Sequence, residues 1–118
     1  MAVHAGQDPE EHAHWDVIPP ISTATSFKQP DAGHPAGDFA YGRSGNPTRQ
    51  ALERALAGIC GAQHAVAFAS GLAGTTAIMQ TLAAGDHVVA LNELYGGTSR
   101  LFRSILAKFG LEFTFIDV

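Results

Sequence analysis

The sequence predicts an α/β fold, part of a parallel sheet with covering helices, preceded by an extended arm. Three observations carry this. Short apolar runs at 64–69, 87–91 and 113–118 alternate with segments of helical spacing. Each helical segment ends on a glycine, Gly61, Gly85 or Gly110, the residue that most readily takes a left-handed cap. Before residue 41, Pro9, Pro19, Pro20, Pro30 and Pro35, with Gly6, Gly33 and Gly37, break any regular period.

Taken in order, residues 1–40 read as the arm. Such a segment rarely folds alone, so it is expected to lie across the rest of the chain or a neighbouring subunit. Residues 41–118 read as the first part of an α/β domain. Asn46 can cap a helix, and Pro47 suits the first turn, where its missing amide hydrogen costs nothing. Leu52, Leu56 and Ile59 then share one face, and Gly61 stops the helix. Residues 64–69, around Val66 and Phe68, fit a buried strand. A second helix is expected from Gly71, with Leu72, Thr75, Met79 and Leu82 on one stripe and Gly85 as its stop. Residues 87–91 form the next buried strand. A third helix is expected over 98–109, with Leu101, Ile105 and Phe109 aligned, and 113–118 is the last strand. Strands joined by helices of this length imply right-handed crossovers and a parallel sheet. Three strands make a poor α/β sheet, so further sequence is expected.

Bulk properties exclude several classes. Charged residues make up 15% of the chain and the formal net charge is -4, with no basic stripe to follow a nucleic acid. Residues 55–85 hold no Lys, Arg, Asp or Glu, but Ala, Gly, Thr and Ser dominate them. A membrane span needs about twenty strongly apolar residues, so this reads as buried structure. Cys60 is the only cysteine, which rules out an internal disulfide and fits a reducing cytoplasm. A buried free thiol is its expected role. His12 and His14 are spaced as a metal pair, but no Cys or carboxylate ligands are evidently arranged around them, and no metal is expected.

In open parallel sheets, ligands bind beyond the carboxyl ends of the strands. At 69–75 a strand turns tightly into a helix. Its free amides, the helix dipole and the Ser70 hydroxyl would favour a phosphate, and Gly71 removes the side chain that would hold one away. The same small residues also suit a plain packing turn, and the residues alone leave the two readings level. At 92–98, Tyr95 sits where an aromatic ring could stack on a flat cofactor, with Arg100 near enough for an anionic group. A ring capping the core and a solvated arginine are, on the residues alone, the slightly simpler reading. At 41–48, Tyr41 and Arg43 lie two apart in an extended glycine-rich segment, so both can face one way as a phosphate clamp. A helix-leading loop with an incidental surface arginine is the alternative reading. GxGxxG, a Gly-Lys-Ser/Thr loop and a Gly-x-Ser-x-Gly elbow are all absent.

The ordered segments Tyr-Gly-Arg-Ser-Gly-Asn-Pro-Thr at 41–48, Ala-Ser-Gly-Leu-Ala at 69–73 and Leu-Tyr-Gly-Gly-Thr at 94–98 resemble the Cys/Met metabolism family of pyridoxal-phosphate enzymes. Val-His-Ala-Gly-Gln-Asp-Pro-Glu at 3–10 and Val-Ile-Pro-Pro-Ile-Ser at 17–22 look familial too, so the resemblance covers essentially the whole chain. It implies a fold-type-I (aspartate aminotransferase-like) large domain and the cofactor pyridoxal 5'-phosphate. By the same resemblance, Ser70, Gly71 and Leu72 would hold the cofactor phosphate of their own subunit. Tyr41 and Arg43 would reach the phosphate held by the neighbouring subunit. Tyr95 would stack on the pyridine ring and assist catalysis, and Arg43, Tyr95 and Arg100 would meet the substrate. Gly42 stands where many members have serine, a small-for-small change expected to leave the clamp intact.

The resemblance further implies trans-sulfuration of a small sulfur amino acid. Cleavage of cystathionine to cysteine leads, and cystathionine synthesis or acylhomoserine sulfhydrylation is the alternative. A cytoplasmic homotetramer, a dimer of dimers with shared active sites, is implied as well. The lysine that carries the cofactor and the aspartate against its ring nitrogen have no match here. Lys28 lies in the arm, Lys108 ends a helix, and neither Asp86 nor Asp117 fits the family pattern. The chain therefore reads as an N-terminal portion, inactive by itself. A short non-catalytic module for cofactor binding or subunit interaction is the reading from another class.

Overall fold

In a computed structural model, which describes residues 4–117, the chain divides into two compact units, Met1–Ala67 and Phe68–Val118. Met1–Val3, in the expected arm, and Val118, in the expected last strand, lie outside the described residues.

The first unit is built on one helix, α1, Pro47–Cys60. Its start follows from Asn46, whose side-chain oxygen accepts the Thr48 and Arg49 amides at 2.9 and 3.3 Å. Its end follows from Gly61, which adopts φ +63° and returns its own N–H to the last turn. The segment before α1 is fastened to the same cap. The Asn46 side chain donates to the Ser22 carbonyl at 3.1 Å, and Thr48 Oγ1 both accepts from Ser22 N–H and donates to the Pro20 carbonyl. Residues 25–27 then run antiparallel to 40–42 through an isolated bridge between Ser26 and Tyr41, beside the Phe27 and Phe39 rings. A 3₁₀ turn at Pro9–Glu11, capped by Asp8, carries Glu11 to its ion pair with Arg54 of α1. Of the α1 residues, only Ala57 is buried. The Leu52, Leu56 and Ile59 stripe is exposed. The helical spacing was legible, but the face it marks is left exposed.

The second unit contains α2, Gly71–Met79; β1, His87–Leu91; α3, Gly96–Arg100; and β2, Glu112–Ile116. β1 and β2 pair in parallel, with His87 opposite Glu112 and Leu91 opposite Ile116. The crossover helix α3 continues as a π turn over Leu101–Ile105 and a 3₁₀ turn over Leu106–Phe109. The Leu106 amide reaches back to both the Leu101 and Phe102 carbonyls, which is the widened turn itself. Leu101, Phe102 and Leu111 are buried, and Phe102 stacks on Phe113 of β2 with ring centroids 4.8 Å apart. Val88, Ala90, Phe113 and Phe115 are half-buried, while alternate residues on both strands are exposed.

Four expectations need correction. Residues 64–69 make no strand: the Ala67 amide goes to Glu53 Oε1 at 2.9 Å, no ladder partner exists among the described residues, and Val66 and Phe68 are exposed. The second helix ends at Met79 rather than near Gly85. Thr81 Oγ1 turns back to the Ile78 carbonyl and Asp86 accepts the Ala83 amide, so local turns take the backbone groups a longer helix would use. The third helix buries Leu101 and Phe102, not a Leu101–Ile105–Phe109 stripe, because the π turn shifts the register; Phe109 is 72% exposed. Cys60 is exposed, since it lies at the end of α1 on a side that nothing described covers.

The shared cap gives a test in the first unit. Asn46→Ala removes both acceptor bonds and orphans the Ser22 carbonyl, so about 1 kcal/mol of local stability should be lost. Hydrogen exchange should then quicken roughly fivefold at Thr48 and Arg49, with little change at the amides of β1.

Candidate functional site

The chemistry-bearing residues sit in two groups, one in each unit. In the first, Tyr41 and Arg43 do face the same way. The Arg43 guanidinium lies 4.5 Å from the Tyr41 ring centroid, and Arg43 is exposed. Their loop is held from below by Arg49, a residue the sequence reading passed over. Its guanidinium donates to the carbonyls of Gly42, Arg43 and Ser44 at 3.5, 3.2 and 3.0 Å while its Nε pairs with Glu53. Three successive carbonyls gathered on one cation explain how an irregular loop keeps its shape. No local signal marked it, because an arginine in the first turn of a helix reads as solvated surface.

Gly42 departs from its sequence reading. Its amide donates to the Thr25 carbonyl at 2.7 Å, and a β-carbon there would stand 2.8 Å from the Ala24 carbonyl oxygen. Serine is therefore not a neutral replacement in this chain. The backbone at residue 24 would have to move first.

In the second unit, Ser70 caps α2 in extended conformation, its Oγ accepting the Ala73 amide at 3.1 Å, while its carbonyl takes the Gly74 amide. The Gly71 and Leu72 amides have no partner among the described residues, as expected of a first helical turn. A β-carbon at Gly71 would meet nothing within 4 Å, and Ser70, Gly71 and Leu72 are all exposed. The result is an open cradle of two free N–H groups and a hydroxyl still able to donate. Such a set suits a phosphate and lacks any side chain that would obstruct it.

Tyr95 precedes α3 and is 78% exposed. The structure brings it to the Ser70–Leu72 turn. A β-carbon at Gly97 would fall 2.6 Å from the Tyr95 ring and 3.5 Å from Leu72 Cδ2. The absent side chain of Gly97 is thus the space the ring occupies, with Leu72 beside it. Arg100 is exposed at the end of α3 with no side-chain hydrogen bond among the described residues. Arg103, which the sequence reading did not single out, carries more contacts: Asn92, Ser99 and the Phe115 ring. Lys28, in the first unit, and Lys108, in the second, are both exposed. No cluster of three or more potential metal ligands occurs among the described residues, and the ring of His12 instead contacts the Asp16 carbonyl. Nor is any described helix long and apolar enough to cross a membrane.

Comparison with known proteins gives concordant results. The model of the family described as Cys/Met metabolism PLP-dependent enzyme matches residues 1–118. Human cystathionine gamma-lyase is 50% identical over 117 residues, covering 99% of this chain and 29% of the relative. A probable cystathionine gamma-synthase of Herpetosiphon aurantiacus is 46% identical, covering 99% of this chain and 36% of that protein. The crystal structure of cystathionine gamma-lyase from yeast superimposes with a TM-score of 0.85 at 43% identity, over 98% of this chain and 29% of the other. The helices and parallel strands therefore form part of a fold-type-I α/β architecture. The chain spans about 29% of the length of the lyase relatives it matches.

Gly97 offers a direct check on the Tyr95 geometry. Gly97→Ala should displace the ring at little cost to stability, because Tyr95 is 78% exposed and can swing into solvent. The Tyr95 ring resonances should move in a spectrum of tyrosine-labelled protein, with those of Tyr41, the other tyrosine, unchanged.

Proposed function

Because this chain belongs to the Cys/Met metabolism PLP-dependent enzyme family, we propose that it supplies the phosphate-binding and ring-facing part of a trans-sulfuration enzyme. The activity proposed for the whole enzyme is cleavage of cystathionine, with water, to cysteine, 2-oxobutanoate and ammonia. The observation that carries it is the open Ser70–Leu72 cradle beside Tyr95, in a chain 50% identical to a cystathionine gamma-lyase. The likeness to a probable cystathionine gamma-synthase favours γ-replacement by the same site as the second reading.

Pyridoxal 5'-phosphate fits the residues present. The Gly71 and Leu72 amides and the Ser70 hydroxyl would hold its phosphate, and the helix dipole of α2 would favour the charge. Tyr95 would lie against the ring and help move a proton at the substrate. Tyr41 and Arg43, already held together, would reach the phosphate in a neighbouring subunit. Arg43 and Arg100 would orient the substrate's anionic groups, for which a planar guanidinium is well suited. Once bound, the cofactor supplies an electron sink for the carbanion that forms on the substrate. Neither Lys28 nor Lys108 lies near these groups in sequence, and neither is assigned to carry it. The assembly proposed is a homotetramer, a dimer of dimers with shared sites, in the cytoplasm. Residues 1–40 would act as its arm and 41–118 as the beginning of its large domain.

A chimaera tests this. Residues 1–118 replace the matched segment of human cystathionine gamma-lyase, and Arg43→Ala is introduced. The parent chimaera should retain cofactor through dialysis and cleave cystathionine. The variant should lose cofactor at least tenfold more readily, with the thermal midpoint of its cofactor-free form unchanged. Equal retention in both would remove Arg43 from the site. By itself, this chain should give no stoichiometric borohydride-trapped adduct of pyridoxal phosphate on Lys28 or Lys108, as intact mass and peptide mapping would show.

A further inference from the structure

We propose that Arg103 is the positioning residue for Tyr95, fixing the loop that presents the phenol through a closed circuit of contacts with Asn92 and Ser99. Nη2 of Arg103 donates to Asn92 Oδ1 at 3.0 Å, and Nε donates to Ser99 Oγ at 3.3 Å. The guanidinium carbon lies 3.5 Å from the centroid of the Phe115 ring. Asn92 stands just beyond β1 and extends its ladder, its amide donating to the Ile116 carbonyl at 2.8 Å. Ser99 is tied to the other end of the loop, because its amide donates to the Tyr95 carbonyl at 3.0 Å. The circuit therefore runs from Arg103 to Asn92, along the chain to Tyr95, across to Ser99 and back to Arg103.

No other side-chain hydrogen bond reaches residues 92–95 among the described residues. The Tyr95 side chain meets the rest of the unit at its ring, over Gly97 and beside Leu72. Where the ring sits thus depends on where the backbone of 92–95 is kept, and Arg103 is the one side chain that keeps it. A planar group suits the task. One face rests on Phe115 while two edges donate in different directions, which an ammonium on a flexible stem cannot reproduce. The π turn at Leu101–Ile105 contains Arg103, and inserted π turns of this sort recur where a helix must aim a side chain off its regular register. The inference concerns the cofactor-free chain. Its relevance to catalysis rests on the proposed role of Tyr95, but its test does not.

The chain contains two tyrosines, Tyr41 and Tyr95, so ring-labelled tyrosine reports on each separately by NMR. Arg103→Met keeps the apolar stem and removes all three contacts of the head. It should shift the Tyr95 ring signals and leave those of Tyr41 in place, and Arg103→Lys should not restore them. Asn92→Leu should reproduce the shift, whereas Asn92→Asp, which keeps an acceptor for Arg103, should retain the parent position. The double variant Arg103→Met/Asn92→Leu should shift Tyr95 no further than either single change. An unmoved Tyr95 in Arg103→Met overturns the proposal, as do additive shifts in the double variant. Should Arg103→Met fail to fold, the contrast between Asn92→Leu and Asn92→Asp decides: equal Tyr95 spectra in those two would overturn it.

Discussion

Very little of this chain is removed from water by packing, and that shortage governs how the rest is held. Ala57 in one unit, and Leu101, Phe102 and Leu111 in the other, are the buried apolar residues among those described. Fully burying a large aliphatic side chain contributes about 1.5–3 kcal/mol, and most such side chains here remain exposed. Local order therefore rests on polar geometry. The Asn46 cap fastens the preceding segment, Arg49 gathers three carbonyls, Ser70 starts α2, and the Gly85 amide meets the Gly110 carbonyl at 2.7 Å. These interactions are directional, so they set positions more strictly than a small apolar cluster would.

What was legible in the sequence follows from this. Several signals that act within a few residues read correctly, among them Asn46 and Pro47 at the start of α1, Gly61 at its end and Gly110 before β2, and so did the parallel pairing across a crossover helix; the stop expected at Gly85 did not, because turns end α2 at Met79. Features that depend on distant partners did not. Residues 64–69 have the composition of a strand, but a strand exists only where another supplies its ladder. The stripe Leu52, Leu56 and Ile59 was read from spacing, which reports a face without saying what covers it. The π turn was not readable, because no local rule distinguishes Leu101–Ile105 from ordinary helix; the packing of Phe102 on Phe113 accompanies it.

The candidate site divides along the same line. Ser70, Gly71, Tyr41 and Arg43 were singled out because small, aromatic and cationic residues gather near a helix start, and the family resemblance gave them roles. Arg49 and Arg103 were not, because an arginine inside a helix looks like solvated surface until its partners are known. Both turned out to brace a loop that carries a candidate ligand-facing residue. Gly97 and Gly42 make a related point: each glycine is occupied, one by the Tyr95 ring and the other by the backbone of Ala24 and Thr25. Their missing side chains are spaces already in use.

The two-stranded sheet has a consequence for what can pair with it. β1 and β2 pair with each other alone among the described residues, so each keeps one outer edge of amides and carbonyls free. Beside those edges, Val89, Leu91 and Ile116 are exposed. Charge, proline and bulges are the usual protections of such an edge, and the strand sequences His87–Leu91 and Glu112–Ile116 offer a single carboxylate, Glu112, and no proline. An edge of this kind offers backbone pairing to a further strand, whether from the same polypeptide or from an identical one.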